Sequence, residues 1–463
     1  MICLLLISLP TLATAFAPTT TTPNTHMTNS PLARRTSSIA YDDQSHGPKY
    51  SFYGGDAWRK RRNLAPLNKI TTPTFSFGII TDIQYAPIPD GHSYNGTPRY
   101  YRHAIAAAEH AARHFQREGV QCVVNLGDSI DGKCVDVERY GGSLIEAEED
   151  GVVAGGEGEE KKLECVGGGG DRCVGPKALE DVLKALSCYT NGRIIHTYGN
   201  HELYNLSRKD LAKKLQIPFT LEPSGDLVGY YSHQIHSHNS SENKDTKTVD
   251  PSNKLRFLVL DSYDICLLDR CPQTSDKYRL ARDILSRHNP NYPHEENSPE
   301  GLQGLSKRFV AFNGGIDTPQ LEWFETSLQS ARKNNERVIV VSHQPVHPES
   351  SWPTCLMWNY SDVLSIMRRY RDVIIASFSG HAHQGGYVRD EESGIHFRTL
   401  EAVLESPDPV KTYGIVDVWE DRVVVRGWGD CVSDVYDLDH LVFGDGENVD
   451  DSSEESELGI IIG

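Results

Sequence analysis

The sequence predicts an α/β fold, and two observations carry that reading. Continuous runs of Val, Ile and Leu, without polar alternation, recur along the chain, and segments of helical periodicity stand between several of them. Strands of that kind are covered on both faces, as in sheets packed between helices. With 463 residues and 38% hydrophobic content, the chain has the length for one large domain or two ordinary ones and enough apolar side chains for a sizeable core.

The elements follow in order. A strand spans 76 to 81 in "SFGIITDIQYA" and stops at Asp82, with Gln84 two residues on. A helix from about Tyr100 to Glu118 carries Ala104, Ala107, Ala108, Ala111 and Ala112 on one face. The strand "VQCVVNL" runs into Gly127 and Asp128. A helix over 176 to 190 precedes "GRIIHTYG", which ends at Asn200 and His201. The strands "LRFLVLDS" (255 to 262), "RVIVVSH" (337 to 343) and "VIIASFSGH" (373 to 381) complete the series. In such folds ligands gather at the carboxyl ends of the strands.

Other stretches break this rhythm. Residues 141–175 are rich in Gly and Glu and 236–254 are polar, so both read as disordered surface inserts; the histidines of the second insert read as solvated. The end, 444–463, reads as an acidic tail. At the start, a short apolar stretch, Ala13-Thr14-Ala15 and a Ser/Thr-rich, acid-free segment make residues 1–40 a signal and transit presequence, followed by a linker or packed arm over 41–73. The junction "ATAFAP" resembles the cleavage motif of bipartite plastid presequences, so plastid import is the expectation and secretion the alternative. No apolar window reaches the ~20 residues a bilayer span needs. A net charge of -18 argues against a nucleic-acid partner, and an anionic substrate would need cations to offset the repulsion. Ten scattered cysteines imply no stapled framework; Cys165 with Cys173, or Cys266 with Cys271, can bridge in an oxidising compartment, and a reducing one would leave most thiols free.

Five strand ends share a property: each is followed at once by a hard or borderline metal ligand. They are Asp82; Asp128 in "GDSID"; Asn200 and His201 in "GNHE"; His343 in "SHQP"; and His381 and His383 in "GHAH". Any one alone is more often structural. Together they suit Mn, Fe or Zn and not a thiolate zinc site. The glycines before Asp128, Asn200 and His381 let the chain turn sharply and admit phosphate oxygens. Lone histidines such as His196 and His347 read as structural, and Asp131 as the cap of a helix or turn. Glu202 reads either as a partner orienting an imidazole or as a helix-start carboxylate.

These blocks, in this order over roughly residues 74 to 430, resemble the calcineurin-like metallophosphoesterases. The resemblance implies a single domain over 74–443, with two β-sheets forming a sandwich flanked by helices in four layers. It also implies two divalent metal ions ~3.5–4 Å apart. On that pattern Asp128 bridges them; Asp82, Gln84 and His383 complete one shell, and Asn200, His343 and His381 the other. His201 is then catalytic, steadying or protonating the leaving oxygen.

Gln84 stands where the common pattern has His, and an amide oxygen is the weaker donor, which favours Mn over Zn. Together with "YYRH", "LDSYD", "HNPN", "FNGG", "CLMWNY" and "GHAHQGGY", it resembles the Mn-dependent ADP-ribose/CDP-alcohol diphosphatase subfamily. The implied activity is hydrolysis of the pyrophosphate in ADP-ribose, CDP-choline, CDP-glycerol and related nucleotides by a monomer, with Mn as the metal and Mg or Fe as substitutes. The same pattern suggests Tyr94 for nucleobase stacking, Arg99 or Arg102 for phosphate pairing, Phe312 for an apolar wall and Cys355 for the nucleoside side. The aromatics of "YYRH" can equally staple the helix to the sheet. The rival readings are a broad phosphomonoesterase or protein phosphatase on the same fold, and a non-catalytic nucleotide-binding protein.

Overall fold

The computed structural model describes residues 72–142, 173–237, 254–268 and 273–441. The presequence, the arm up to residue 71, most of both inserts and the tail lie outside them. The second insert is shorter than its composition suggests, because a strand runs to His236 and the next begins at Lys254; the first ends where a helix begins at Gly175.

Among the described residues, six strands form a first sheet in the order β14-β13-β12-β1-β4-β5. Its members are β1 (Phe75–Ile80), β4 (Cys122–Asn125), β5 (Ile194–His196), β12 (Tyr413–Val418), β13 (Arg422–Trp428) and β14 (Asp434–Asp437). A second sheet runs β10-β11-β9-β8-β7-β6. It comprises β6 (Tyr231–His236), β7 (Lys254–Val259), β8 (Arg337–Val341), β9 (Ile374–Ser379), β10 (Gln384–Arg389) and β11 (His396–Glu401). A short ribbon pairs β2 (Gly91–His92) with β3 (Pro98–Arg99). The continuous apolar runs are the parallel heart of each sheet: β1 lies parallel to β4 and β4 to β5, and β7 to β8 and β8 to β9. The remaining strands are largely antiparallel additions.

Aromatic side chains lock the sheets face to face. The Phe77 ring on β1 meets Phe257 on β7 edge-on at 5.1 Å and Phe378 on β9 at 6.1 Å. Helix α1 (His103–Glu118) covers the outer face of the first sheet with its alanine stripe and Phe115. Gly78 makes that approach possible, since a Cβ there would sit 2.7 Å from the Phe115 ring. Helix α2 (Gly175–Leu186) shares this core; it ends four residues before the sequence expectation. Two short helices, α3 (Asn200–Asn205) and α4 (Arg208–Lys214), follow β5, and α5 is Asp276–His288. Helices α6 (Thr318–Lys333) and α7 (Tyr360–Arg369) cover the second sheet, where Phe324, Leu328, Val363 and Met367 pack on Val338 and Val340. The order helix, sheet, sheet, helix is the four-layer sandwich. No described helix is long and apolar enough to cross a membrane. Cys266 is buried as a thiol, Cys271 lies outside the described residues, and Cys173 is disulfide-bonded.

Candidate metal centre

The carboxyl ends of β1, β4, β8 and β9 and the start of α3 converge on one cleft, and the backbone there has a shared peculiarity. Among the described residues seven non-glycine residues have positive φ, and five of them are Asp82, Gln84, Asp128, His381 and His383. Left-handed backbone costs a non-glycine residue about 1–2 kcal/mol, and such strain clusters where side chains must be aimed. Of the glycines expected to turn the chain, Gly127 does so (φ 95), but Gly199 and Gly380 serve close approach instead. A Cβ on Gly199 would lie 2.0 Å from Asp128 Oδ1, and one on Gly380 2.6 Å from Asp82 Oδ2. After Gly380 the left-handed turn falls on His381 itself (φ 67), and after Gly199 a helix begins at Asn200.

Asp128, His343 and His381 present ligand atoms that all lie within 4.8 Å of one another. His343 Nδ1 donates to the Leu126 carbonyl at 2.7 Å, leaving Nε2 at 3.3 Å from Asp128 Oδ2. His381 Nδ1 is 3.2 Å from His343 Nε2. Asn200, at the start of α3, joins this side through Oδ1, which accepts from the Tyr263 hydroxyl at 3.0 Å. On the other side, His383 Nε2 lies 3.3 Å from Asp82 Oδ1. The Gln84 amide nitrogen sits between Asp128 Oδ2 (3.1 Å), Asp82 Oδ1 (3.4 Å) and His383 Nε2 (2.9 Å).

The electrostatics of this centre call for positive charge. Burial opposes protonation of His343, but Asp128 overrides it and raises the ring to about 9. Burial also opposes charge on His383, and Asp82 with Glu405 raises it to about 10. His381, buried and facing the charged His343, is pushed down to about 3. Burial resists ionisation of Asp128, yet His343 and His201 hold its carboxyl far below the usual range. The centre therefore demands positive charge, which two imidazolium protons supply and which divalent cations can replace. Gln84 passes the same test: its Oε1 is buried without a partner, an unmet acceptor among groups that call for a cation. A half-turn of the amide, a change between two nearly indistinguishable orientations, brings the oxygen to His383. The same oxygen then faces any cation that takes the proton's place.

His201 stands apart from both groups. Its main-chain N–H donates to Asp128 Oδ1 at 2.9 Å, and its Nδ1 accepts from the Gly132 N–H at 2.7 Å, so the neutral ring carries its proton on Nε2. Burial opposes its charge, but Asp128 and Asp131 raise its pKa. Asp131 caps the following 3-10 turn by accepting from Lys133 N, and its other oxygen is 3.3 Å from His201 Nδ1. Glu202 orients no imidazole. Its carboxylate, fully buried, accepts from the main-chain N–H groups of Asp128 (2.9 Å), Ser129 (2.5 Å) and Gly199 (3.1 Å), clamping the loop that bears Asp128.

The expected substrate contacts divide. Arg99 is half-buried, and it acts electrostatically on Asp131 and His201. The Phe312 ring lies 5.9 Å from the His381 ring. Cys355 is close enough to feel Asp82, and burial pushes its thiol up to about 12. Tyr94 is fully exposed between β2 and β3, and Arg102 is exposed at the start of α1, so neither is gathered into the cleft. His196 and His347 are buried beside Asn125 and Asp390, away from the ligand cluster. Three partners escaped sequence reasoning: Tyr263 beside Asn200, Asn313 beside His381 and Glu405 beside His383. The first two lie in "LDSYD" and "FNGG", stretches with a resemblance but no assigned role; Glu405 carries no local signal.

The sandwich and this cluster define a two-metal phosphoesterase architecture. The family model for calcineurin-like phosphoesterases matches residues 75–385, and the chain belongs to that family. It is 35% identical over 356 residues to the manganese-dependent ADP-ribose/CDP-alcohol diphosphatase of Oryza sativa subsp. japonica, covering 77% of this chain and 91% of that one. The protein of the same name from Homo sapiens is 35% identical over 371 residues, covering 79% and 94%. A crystal structure of a dimetal phosphatase from Danio rerio superposes with a TM-score of 0.62 at 32% identity, over 79% of this chain and 99% of that one.

Proposed function

We propose that this chain is a manganese-dependent hydrolase of small nucleotide diphosphates. It would cleave the pyrophosphate of ADP-ribose, CDP-choline and CDP-glycerol to a nucleoside monophosphate and a phosphorylated sugar or alcohol. The observation that carries the reading is Gln84, an amide set among Asp82, Asp128 and His383 in a cleft that demands cationic charge. The likeness to the rice and human diphosphatases over more than nine-tenths of their length supports the substrate class.

Asp82, Gln84, Asp128 and His383 would hold one cation, and Asp128, Asn200, His343 and His381 the other. Bound there, the pair supplies Lewis acidity and activates water. The chain's own residues do the rest. Asp128 sits between both ligand groups, its loop held by the Glu202 carboxylate, which accepts from three main-chain N–H groups. Arg99 offers a fork that matches two phosphate oxygens beside His201. His201 donates its Nε2 proton to the oxygen that leaves, a contribution typically worth about 10²–10⁴ in rate. Phe312 and Cys355 close the nucleoside side.

The test is hydrolysis of ADP-ribose, CDP-choline and p-nitrophenyl phosphate, each with Mn2+ and with Mg2+. Preference for the two diphosphates with Mn2+ is expected; turnover of the monoester alone would return the chain to the broad phosphomonoesterases. We also propose that residues 1–40 direct plastid import, on the strength of "ATAFAP" and the acid-free Ser/Thr-rich segment. A fluorescent fusion of those residues that enters the secretory pathway and is exported would overturn this.

A further inference from the structure

His381 and His383 are two residues apart on one loop, yet they turn different nitrogens to the centre. Asn313 governs the first. It is fully buried, and its Nδ2 donates to two carbonyl oxygens, Arg308 at 2.9 Å and Thr354 at 2.8 Å. Carbonyls only accept, so this amide cannot be reversed, and Oδ1 must face His381 Nε2 at 2.8 Å. His381 Nε2 therefore carries the proton, and its lone pair lies on Nδ1, in the cluster with His343 and Asp128. Glu405 governs the second. Its Oε1 lies 2.9 Å from His383 Nδ1, which must donate, so the Nε2 lone pair points toward Asp82 and Gln84.

We propose that Asn313 and Glu405 are positioning residues that fix opposite tautomers in His381 and His383, and that they thereby set the affinities of the two cation sites separately. The inference rests on the two-cation reading above. The division of labour is chemically apt. A carboxylate behind an imidazole makes it a better donor than an amide does. The carboxylate stands behind His383, on the side where the weaker amide ligand Gln84 replaces an imidazole. The neutral amide stands behind His381, on the side already furnished with His343. Asn313 also ties that side to Thr354, next to Cys355. Through this single amide, "FNGG" holds both one histidine and one stretch of the substrate wall.

The experiment is a Mn2+ titration of the full chain, followed through the electron paramagnetic resonance signal of the free ion. Glu405→Ala is expected to weaken one of two binding steps by about 10–100-fold and leave the other near its original value. Glu405→Gln, whose amide oxygen still accepts from His383, should recover most of the loss. Asn313→Ala should weaken the other step. Equal loss in both steps from Glu405→Ala, or no loss, would overturn the inference, as would failure of Glu405→Gln to rescue. Because Asn313 also braces two carbonyls, Asn313→Ala can fail to fold; nitrogen-15 spectra of the histidines in the wild type loaded with diamagnetic Mg2+ then decide. A proton on Nε2 of His381 and on Nδ1 of His383 is expected, and the same tautomer in both rings would overturn the proposal. A wild-type chain that binds fewer than two Mn2+ ions removes the reading beneath it, whereas two ions with indifferent variants removes this inference alone.

Discussion

Glu202→Gln is a sensitive probe of how the centre is held. The carboxylate accepts from three main-chain donors: Asp128 and Gly199 on Oε2, Ser129 on Oε1. A glutamine can keep two of these on its oxygen, but its NH2 then opposes the remaining N–H in a site closed to water. One charge-assisted bond, worth about 1.5–3 kcal/mol, is lost, and an unsatisfied donor pair adds about 1–3 kcal/mol. A destabilisation of about 2.5–6 kcal/mol follows, a large share of the 5–15 kcal/mol typical of a domain. Burial and the neighbouring Asp128 push the Glu202 carboxyl up to about 7, so its charge is costly in the metal-free protein and cheaper beside cations. The deficit should therefore be smaller in chelator than in Mn2+. Urea unfolding in both conditions, with kcat measured alongside, tests this. Displacing Asp128 by about 1 Å should also lower kcat by about 10²-fold. Wild-type unfolding midpoints and wild-type kcat in Glu202→Gln would refute the clamp.

Gln84→His should shift metal preference from Mn2+ toward Zn2+ and alter the choice among nucleotide substrates, because imidazole is the stronger donor for the borderline metal; unchanged preference in metal-substituted assays would contradict the role given to the amide. Gly199→Ala should abolish high-affinity Mn2+ binding in a titration, since its Cβ would collide with Asp128 at 2.0 Å, while Gly225→Ala, at φ 90 in open space, should cost about 1 kcal/mol in unfolding and leave kcat intact. Mn2+ uptake at neutral pH should release about two protons, from His343 (about 9) and His383 (about 10), against an ordinary 6.5. The sign is fixed by the raised values: the imidazolium contribution to the metal-free fold is complete below pH 6.5 and fades through 9 to 10, so Mn2+ affinity should climb over that range. Calorimetry in buffers of different ionisation enthalpy reads the proton count, and a pH-independent affinity would contradict it.

What the sequence made legible follows from what is local. The parallel hearts of both sheets are single apolar runs, and "RVIVV" or "CVVN" can be read without knowing their neighbours. The antiparallel additions escaped: β10, "QGGYVR", and β14, "DVYD", are partly exposed and owe their strand state to pairing with β11 and β13. Helices α5, α6 and α7 were also not anticipated, although α6 buries Phe324 and Leu328 at helical spacing. The candidate ligands could be read because they sit just past strand ends, in stretches contiguous in the sequence. Their partners could not, because Asn313 comes to His381 from 68 residues away and Glu202 to Asp128 from 74. Only the assembled packing of the chain, such as the pairing of β4 with β5, decides such meetings.

The same packing explains how five strained ligands persist. The loops that bear them are bonded to one another through their main chains: Asp82 N–H to the Gly127 carbonyl at 3.1 Å, Gln84 N–H to the Asp128 carbonyl at 2.8 Å and Tyr85 N–H to the Ser129 carbonyl at 3.1 Å. On the far side, Leu404 N–H reaches the Asp82 carbonyl at 3.1 Å and Ala402 N–H the His383 carbonyl at 2.8 Å. At about 1–2 kcal/mol per left-handed residue, the five together store roughly 5–10 kcal/mol, as much as many domains have in total. That strain is tolerable only because each loop is held from both sides and because Glu202 and the Leu126 carbonyl brace the middle. Those bonds aim the side chains at one cleft, where bound cations would take the place of protons and relieve the repulsion among the carboxylates.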